Sequence, residues 1–111
     1  MANIFTRKNS RDVTANTKIG SYTVGASTVA TVIGLSIANK TSSTVTANIY
    51  LSDNTNSYAG NTYIAYNATI VAGGTLLLAG GDQKLVLISG DGIVVQSTGN
   101  VDANMNILEI S

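Results

Sequence analysis

From Ser27 onward the sequence alternates large apolar residues with small or polar ones at a period of two, and that alternation restricts the chain to β-strands. Ile33, Leu35 and Ile37 fall on one side of the first such stretch, and Val32, Gly34, Ser36 and Ala38 on the other. After a turn-rich break at 39–43, Val45, Ala47, Ile49 and Leu51 alternate with Thr44, Thr46, Asn48 and Tyr50, so a hairpin is the natural connection. A polar loop over 53–61 precedes a strand at 62–70, in which Ile64, Tyr66, Ala68 and Ile70 share a side. Further candidates at 76–78, 85–88, 93–96 and 105–110 are set apart by Gly73-Gly74, Gly80-Gly81-Asp82, Gly90-Asp91-Gly92 and Gly99-Asn100. With 21–24 added, about eight short strands emerge, and no segment offers a capped amphipathic helix. The expected fold is therefore all-β: a single antiparallel β-sandwich, jelly-roll or immunoglobulin-like, with an extended N-terminal arm. Periodicity does not choose between those two strand orders. It does assign Ile33 and Ile49 to the space between the sheets, where an unpaired aspartate prevents folding.

A chain of 111 residues fits one domain. Its hydrophobic share of 44% is ordinary, but only 11% of its residues are charged, against roughly 25% in a typical soluble domain. Six basic and six acidic side chains cancel, so electrostatic repulsion does little to oppose association. Such a chain is expected to live assembled, as a homo-oligomer. Without cysteine it has neither disulfides nor thiolate metal sites. The start has no apolar run and the most apolar stretch, 68–79, is short and broken by Gly73-Gly74. Neither a signal peptide nor a membrane span is expected, and synthesis in a cytoplasm is.

Residues 1–18 stand apart as a polar basic arm, with 19–111 as the sandwich domain. Arg7, Lys8, Arg11 and Lys18 face only Asp12 there, for a net charge of +3. Two readings are open: a solvated terminus, or an arm that orders against an acidic neighbour. The folded region beyond Lys18 has two lysines against five acidic residues, so nucleic acid is not an expected partner. Four dispersed charges on the arm would make only a weak, salt-sensitive contact with phosphate.

Three stretches carry a family resemblance: Thr31-Val32-Ile33-Gly34-Leu35-Ser36-Ile37-Ala38-Asn39, Gly80-Gly81-Asp82-Gln83-Lys84-Leu85-Val86-Leu87, and Ile107-Leu108-Glu109-Ile110-Ser111. Their order and spacing resemble the small virion structural proteins of tailed bacteriophages over residues 19–111. Thr6-Arg7-Lys8-Asn9-Ser10-Arg11-Asp12 is also similar to a leader that some relatives carry. The resemblance implies a capsid-decorating, neck or tail component located in the virion, with the major capsid protein or other virion proteins as partners. A small sandwich with a polar arm suits a decoration or cement protein whose arm crosses onto a neighbour, and the sites that such proteins often occupy imply a trimer.

Catalytic chemistry is poorly served. There is no histidine to act as base, which leaves Lys18, Lys40 and Lys84. Lys84 after Gly80-Gly81-Asp82-Gln83 invites a phosphate-loop reading, but Leu85 stands where a hydroxyl should meet magnesium. Asp82 and Asp91 sit at strand ends in glycine-flanked settings, better explained by turns than by a glycosidase pair. Asp53-Asn54-Thr55-Asn56-Ser57 offers oxygens at alternate positions, but Tyr58 and Ile64 occupy the sixth and twelfth places of an EF-hand. No enzyme, cofactor or metal is expected.

Tyr50, Tyr58, Tyr63 and Tyr66 gather around one loop and its flanking strands. They either cover a sandwich edge or subunit contact, or stack on sugar rings as a carbohydrate-binding module or adhesin tip would. The residues named for partner binding are accordingly Arg7, Lys8, Arg11, Lys18, Tyr58 and Tyr63. Asn39-Lys40-Thr41 and Asn67-Ala68-Thr69 match a glycosylation pattern by chance. Glu109, between Leu108 and Ile110, marks either an exposed face or a guard against edge pairing.

Overall fold

The computed structural model describes residues 3–52, 62–80 and 84–110. Nine strands lie among them: β1 (Asn3–Val13), β2 (Thr17–Lys18), β3 (Val29–Asn39), β4 (Val45–Ser52), β5 (Thr62–Ile70), β6 (Thr75–Ala79), β7 (Leu85–Leu87), β8 (Gly92–Ser97) and β9 (Val101–Ile110). A 3-10 turn at Ile19–Ser21 is the one helical element among the described residues.

All pairings are antiparallel, and they read as a chain folded double about its middle. β4 pairs with β5, β3 with β6 and β7, β2 with β8, and β1 with β9. Rolling that double ribbon up brings β9 against β3 and β8 against β4. The result is a sheet of order β1-β9-β3-β6, with β7 also on β3, facing a sheet of order β2-β8-β4-β5. Of the two expected arrangements this is the jelly roll.

The core fills the space between the sheets. Ala30, Val32, Leu35 and Ile37 of β3, Val45, Ala47 and Ile49 of β4, Ile93 and Val95 of β8, and Val101, Ala103, Met105 and Ile107 of β9 are all buried. Ile33 departs from its expected place, because the β3–β9 register shifts between Val32 and Gly34. The extra residue reverses the parity of the strand. Val32 points inward before the bulge and Leu35 after it, leaving Ile33 only half-buried.

Residues 3–18 do not form the arm expected of the first eighteen residues. Asn3–Val13 is the edge strand of the larger sheet, in register from Asn3↔Ile110 to Val13↔Val101, and Thr17 and Lys18 pair with Val95 and Val94. A strand edge bonds through its backbone whatever its side chains, so a polar segment without apolar alternation can still be a strand. Residues 21–24 are not a strand. The backbone passes through left-handed values at Gly20 and Ser21 (φ 59 and 53). It then runs extended, with the Val24 N–H donating to Asp91 C=O at 3.0 Å and Gly90 N–H donating to Val24 C=O at 2.9 Å.

Asn39 ties two turns together at the end of β3. It is 2% exposed. Its Nδ2 donates to the carbonyls of Ser43 (2.8 Å), Ile70 (3.0 Å) and Val71 (3.1 Å), while its Oδ1 accepts from Thr41 N–H (2.9 Å) and Thr41 Oγ1 (2.8 Å). The β3–β4 and β5–β6 connections thus share one side chain, and the sequon match at Asn39 belongs to the interior.

Candidate subunit interface

In an antiparallel ladder directly opposed residues point to the same side of the sheet. Since Met105 and Ile107 face the core, Leu108 and Ile110 project outward. Their register partners Phe5 and Asn3 on β1, and Thr31 and Val29 on β3, project with them. Thr31 is in turn opposed by Val86, which sets Val29 level with Ile88. Two adjacent rows result, Phe5–Leu108–Thr31–Val86 and Asn3–Ile110–Val29–Ile88. Phe5 is 73% exposed, Val86 64% and Ile88 60%. No ionisable side chain interrupts the six apolar residues of these rows.

The other half of the same face is polar along β1 and β9, while Leu77 of β6, opposite Ser36, is 76% exposed on it. Arg7, Asn9 and Arg11 of β1 and Asp102 and Asn104 of β9 line a shallow depression of about 320 Å³. Asn106 lies over Gly34, with its Nδ2 2.9 Å from where a Cβ would stand. Of the four basic residues named from the sequence, Arg7 and Arg11 therefore share this depression, and the other two are elsewhere. Lys8 turns to the opposite side of β1, its Nζ 5.6 Å from the centre of the Tyr22 ring. Lys18 Nζ donates to Thr23 Oγ1 at 2.8 Å.

Glu109 serves neither expected purpose. Its Oε2 accepts the Tyr22 hydroxyl at 2.5 Å at the rim of the core, and burial together with that carboxylate pushes the Tyr22 phenol well above its usual range. At the other end of β1, Lys40 Nζ meets Asp12 at 2.7 Å and Asp102 at 3.3 Å. First Asp12 and then Asp102 holds the Lys40 ammonium above its ordinary value.

The tyrosines lie on the smaller sheet, at the outer edge made by β5. Tyr63 opposes Tyr50 on β4 with ring centres 5.4 Å apart, and Tyr66 meets Tyr63 edge-on at 4.9 Å. Tyr58 and the oxygen-rich loop at 53–57 lie outside the described residues, as does Asp82. The neighbouring amides are taken up internally: Asn48 Nδ2 donates to Gln96 Oε1 at 2.9 Å, and Asn48 Oδ1 accepts from Asn67 N–H at 2.7 Å. Asp91 is a turn residue, its Oδ2 accepting the Ile88 N–H at 3.0 Å. Among the described residues no three His, Cys, Asp or Glu side chains gather where a metal could be held.

The apolar rows went unread in the sequence, although a signal was there. Leu85-Val86-Leu87-Ile88 and Ile107-Leu108-Glu109-Ile110 break the period of two by placing apolar residues at both parities. A strand apolar at both parities has both faces to cover.

No protein-family model matches the chain, and no curated protein matches it. A solved structure from Bacillus, described as endospore appendages that form a novel family of disulfide-linked pili, is similar in fold. The TM-score is 0.53 at 11% identity, over 97% of this chain and 84% of that one. At that identity the likeness is one of architecture: an all-β sandwich.

Proposed function

We propose that this chain is a non-catalytic structural protein that holds other protein subunits through the outer face of its five-stranded sheet, as a decoration or cement protein on the shell of a tailed-phage particle. The observation that carries the reading is the pair of uncharged apolar rows exposed on that face. The long strands β1, β9 and β3, with β6 and β7 both lying along β3 as a fourth column, about 4.8 Å apart and about 35 Å long, present roughly 700 Å², close to the about 800 Å² per partner of a standard interface. The apolar rows cover only about a third of that area, so the half bearing Arg7, Asn9 and Arg11 must take part as a polar rim. The resemblance to virion proteins supports the phage setting. The Bacillus neighbour, itself described as forming pili, supports assembly as the work of such a sandwich, although this chain has no cysteine and so no disulfide can link its copies.

The test has two arms. An antibody to the chain is expected to coat the shell of purified particles; labelling of the neck or tail would move the role to an accessory protein there, and absence from particles would end the virion reading. Phe5→Ser with Val86→Ser is expected to lower occupancy while leaving thermal unfolding unchanged, and full occupancy would dismiss this face. Sedimentation of the free chain tests the trimer. The tyrosine cluster supports a second reading, a glycan-binding adhesin module, which a glycan array decides. Binding that Tyr63→Ala and Tyr66→Ala abolish would establish it.

A further inference from the structure

β1 is attached to the sandwich unlike the other long strands. None of its residues before Val13 is buried. Phe5, Arg7, Asn9 and Arg11 stand in solvent, and the inward parity carries Ile4, still 51% exposed, and the half-buried Thr6, Lys8 and Ser10. Ser10 Oγ accepts the Gly20 N–H at 2.8 Å, and Lys8 stands over Tyr22. Otherwise β1 is held by its ladder with β9 and by the clasp of Lys40, Asp12 and Asp102, with Asp12 N–H donating to Asp102 Oδ1 at 3.0 Å. By contrast, every second residue of β9 from Val101 to Ile107 is buried. Lifting β1 out of its seat therefore withdraws no buried side chain from the core and uncovers its rim at Tyr22.

The segment also has a strained hinge. Asp12 takes φ 57, the left-handed region that non-glycine residues enter at a cost, where the β1–β9 register shifts between Ser10 and Val13. Immediately beyond, Val13 is anchored at 3% exposure and Thr14 C=O accepts the Ser97 N–H at 2.9 Å. The movable piece thus has definite limits, Asn3 to Asp12.

From this geometry we infer that β1 exchanges between copies: where copies are crowded, Asn3–Asp12 of one chain occupies the seat beside β9 of a second copy. The occupant is a second copy because the seat is already matched, pair by pair from Asn3↔Ile110 to Ser10↔Ala103, by this segment and its register. Exchange preserves those pairings. The balance between closed and exchanged forms rests on the hinge, where Asp12 can relax, and on the supply of neighbours, as short hinges under strain dictate. Phe5 and Arg7 travel with β1, so each chain would complete the outer face of another. The inference draws on the proposed role only for the crowding of copies.

The absence of native cysteine makes the test direct. Two full-length variants, Asn9→Cys and Asn104→Cys, carry different tags, are co-expressed, and are treated with a short bis-maleimide. Asn9 and Asn104 oppose each other across the β1–β9 ladder and are both exposed. Exchange places the two thiols at millimolar effective concentration, so at about 10 μM protein the mixed cross-link is expected about 100-fold faster than chance encounter. The control is Ser36→Cys co-expressed with Asn104→Cys, a pair opposed across β3 and β9 that strand exchange does not bring together between copies. A mixed cross-link no faster than that control would overturn the inference, as would an Asn9→Cys/Asn104→Cys double variant that cross-links only within one chain. Exchange by a chain absent from particles would leave this inference standing and remove the virion role; decoration without exchange would do the reverse.

Discussion

Replacing Asn39 by aspartate changes one nitrogen for oxygen, in a side chain that is 2% exposed. The two Nδ2 hydrogens serve three carbonyls, of Ser43, Ile70 and Val71, at 2.8 to 3.1 Å. A carboxylate at neutral pH has no hydrogen to offer them and turns a second acceptor toward them. Loss of two hydrogen bonds at about 1 kcal/mol each, with about 1–3 kcal/mol for the carbonyl of Ile70 left unpaired in the interior, gives about 3–5 kcal/mol. That agrees with the about 3–5 kcal/mol typical of an uncompensated buried charge. For a chain of 111 residues, 4 kcal/mol corresponds to a fall in Tm of about 15 °C. Asn39→Ala removes the same donors without adding charge and is expected to be the milder change at pH 7. Urea unfolding of wild type, Asn39→Asp and Asn39→Ala measures all three. An aspartate variant within about 1 kcal/mol of wild type would refute the view that this amide joins the two turns.

Ile49→Asp is expected to abolish cooperative melting, because Ile49 is fully enclosed, whereas Ile33→Asp at the bulge leaves a folded protein that loses at most about 2 kcal/mol; equal effects in a thermal melt would reject the bulge. Gly92→Ala sets a methyl 2.9 Å from the Tyr22 carbonyl oxygen and is expected to cost about 1–3 kcal/mol in urea unfolding, and a neutral result would count against that close approach. Burial and Glu109 raise the Tyr22 phenol in the folded state, so the native chain keeps a proton that the unfolded chain releases above about pH 10. Stability is therefore expected to fall as pH rises through that range, with Tyr22→Phe flattening the slope; an unchanged slope would deny the Tyr22–Glu109 contact its role.

How far the sequence spoke for the fold depended on how local each feature is. Alternation located β4 because its apolar side chains face one core at a fixed period, and glycine pairs marked turns further along. In β5 the expected sharing of a side by Ile64, Tyr66, Ala68 and Ile70 fails, since Tyr66 is 67% exposed where the β4–β5 register shifts. Ile33 was misassigned because a bulge belongs to the pairing with β9, whose register no local pattern carries. β1 was read as an arm because its Thr, Lys and Ser side chains face a polar rim and its cohesion comes from backbone groups common to every residue. Arg7 and Arg11 share a depression because they have the same parity on a strand, and Lys8 leaves it for the reason that it has the other. Had 1–18 been read as a strand, that separation was foreseeable. The apolar rows needed the register of four strands at once, although the unbroken apolar run 85–88 already announced apolar residues on two faces.

The place of β9 bears on how the molecule comes into being. It lies between β1 and β3, flanked by two of the earliest strands to be made, yet it is the last strand in chain order. While the ribosome still holds Val101–Ile110, β1 has no partner and the core lacks Val101, Ala103, Met105 and Ile107. The larger sheet is therefore completed only when Val101–Ile110 becomes available to pair, and that single strand joins β1 to β3.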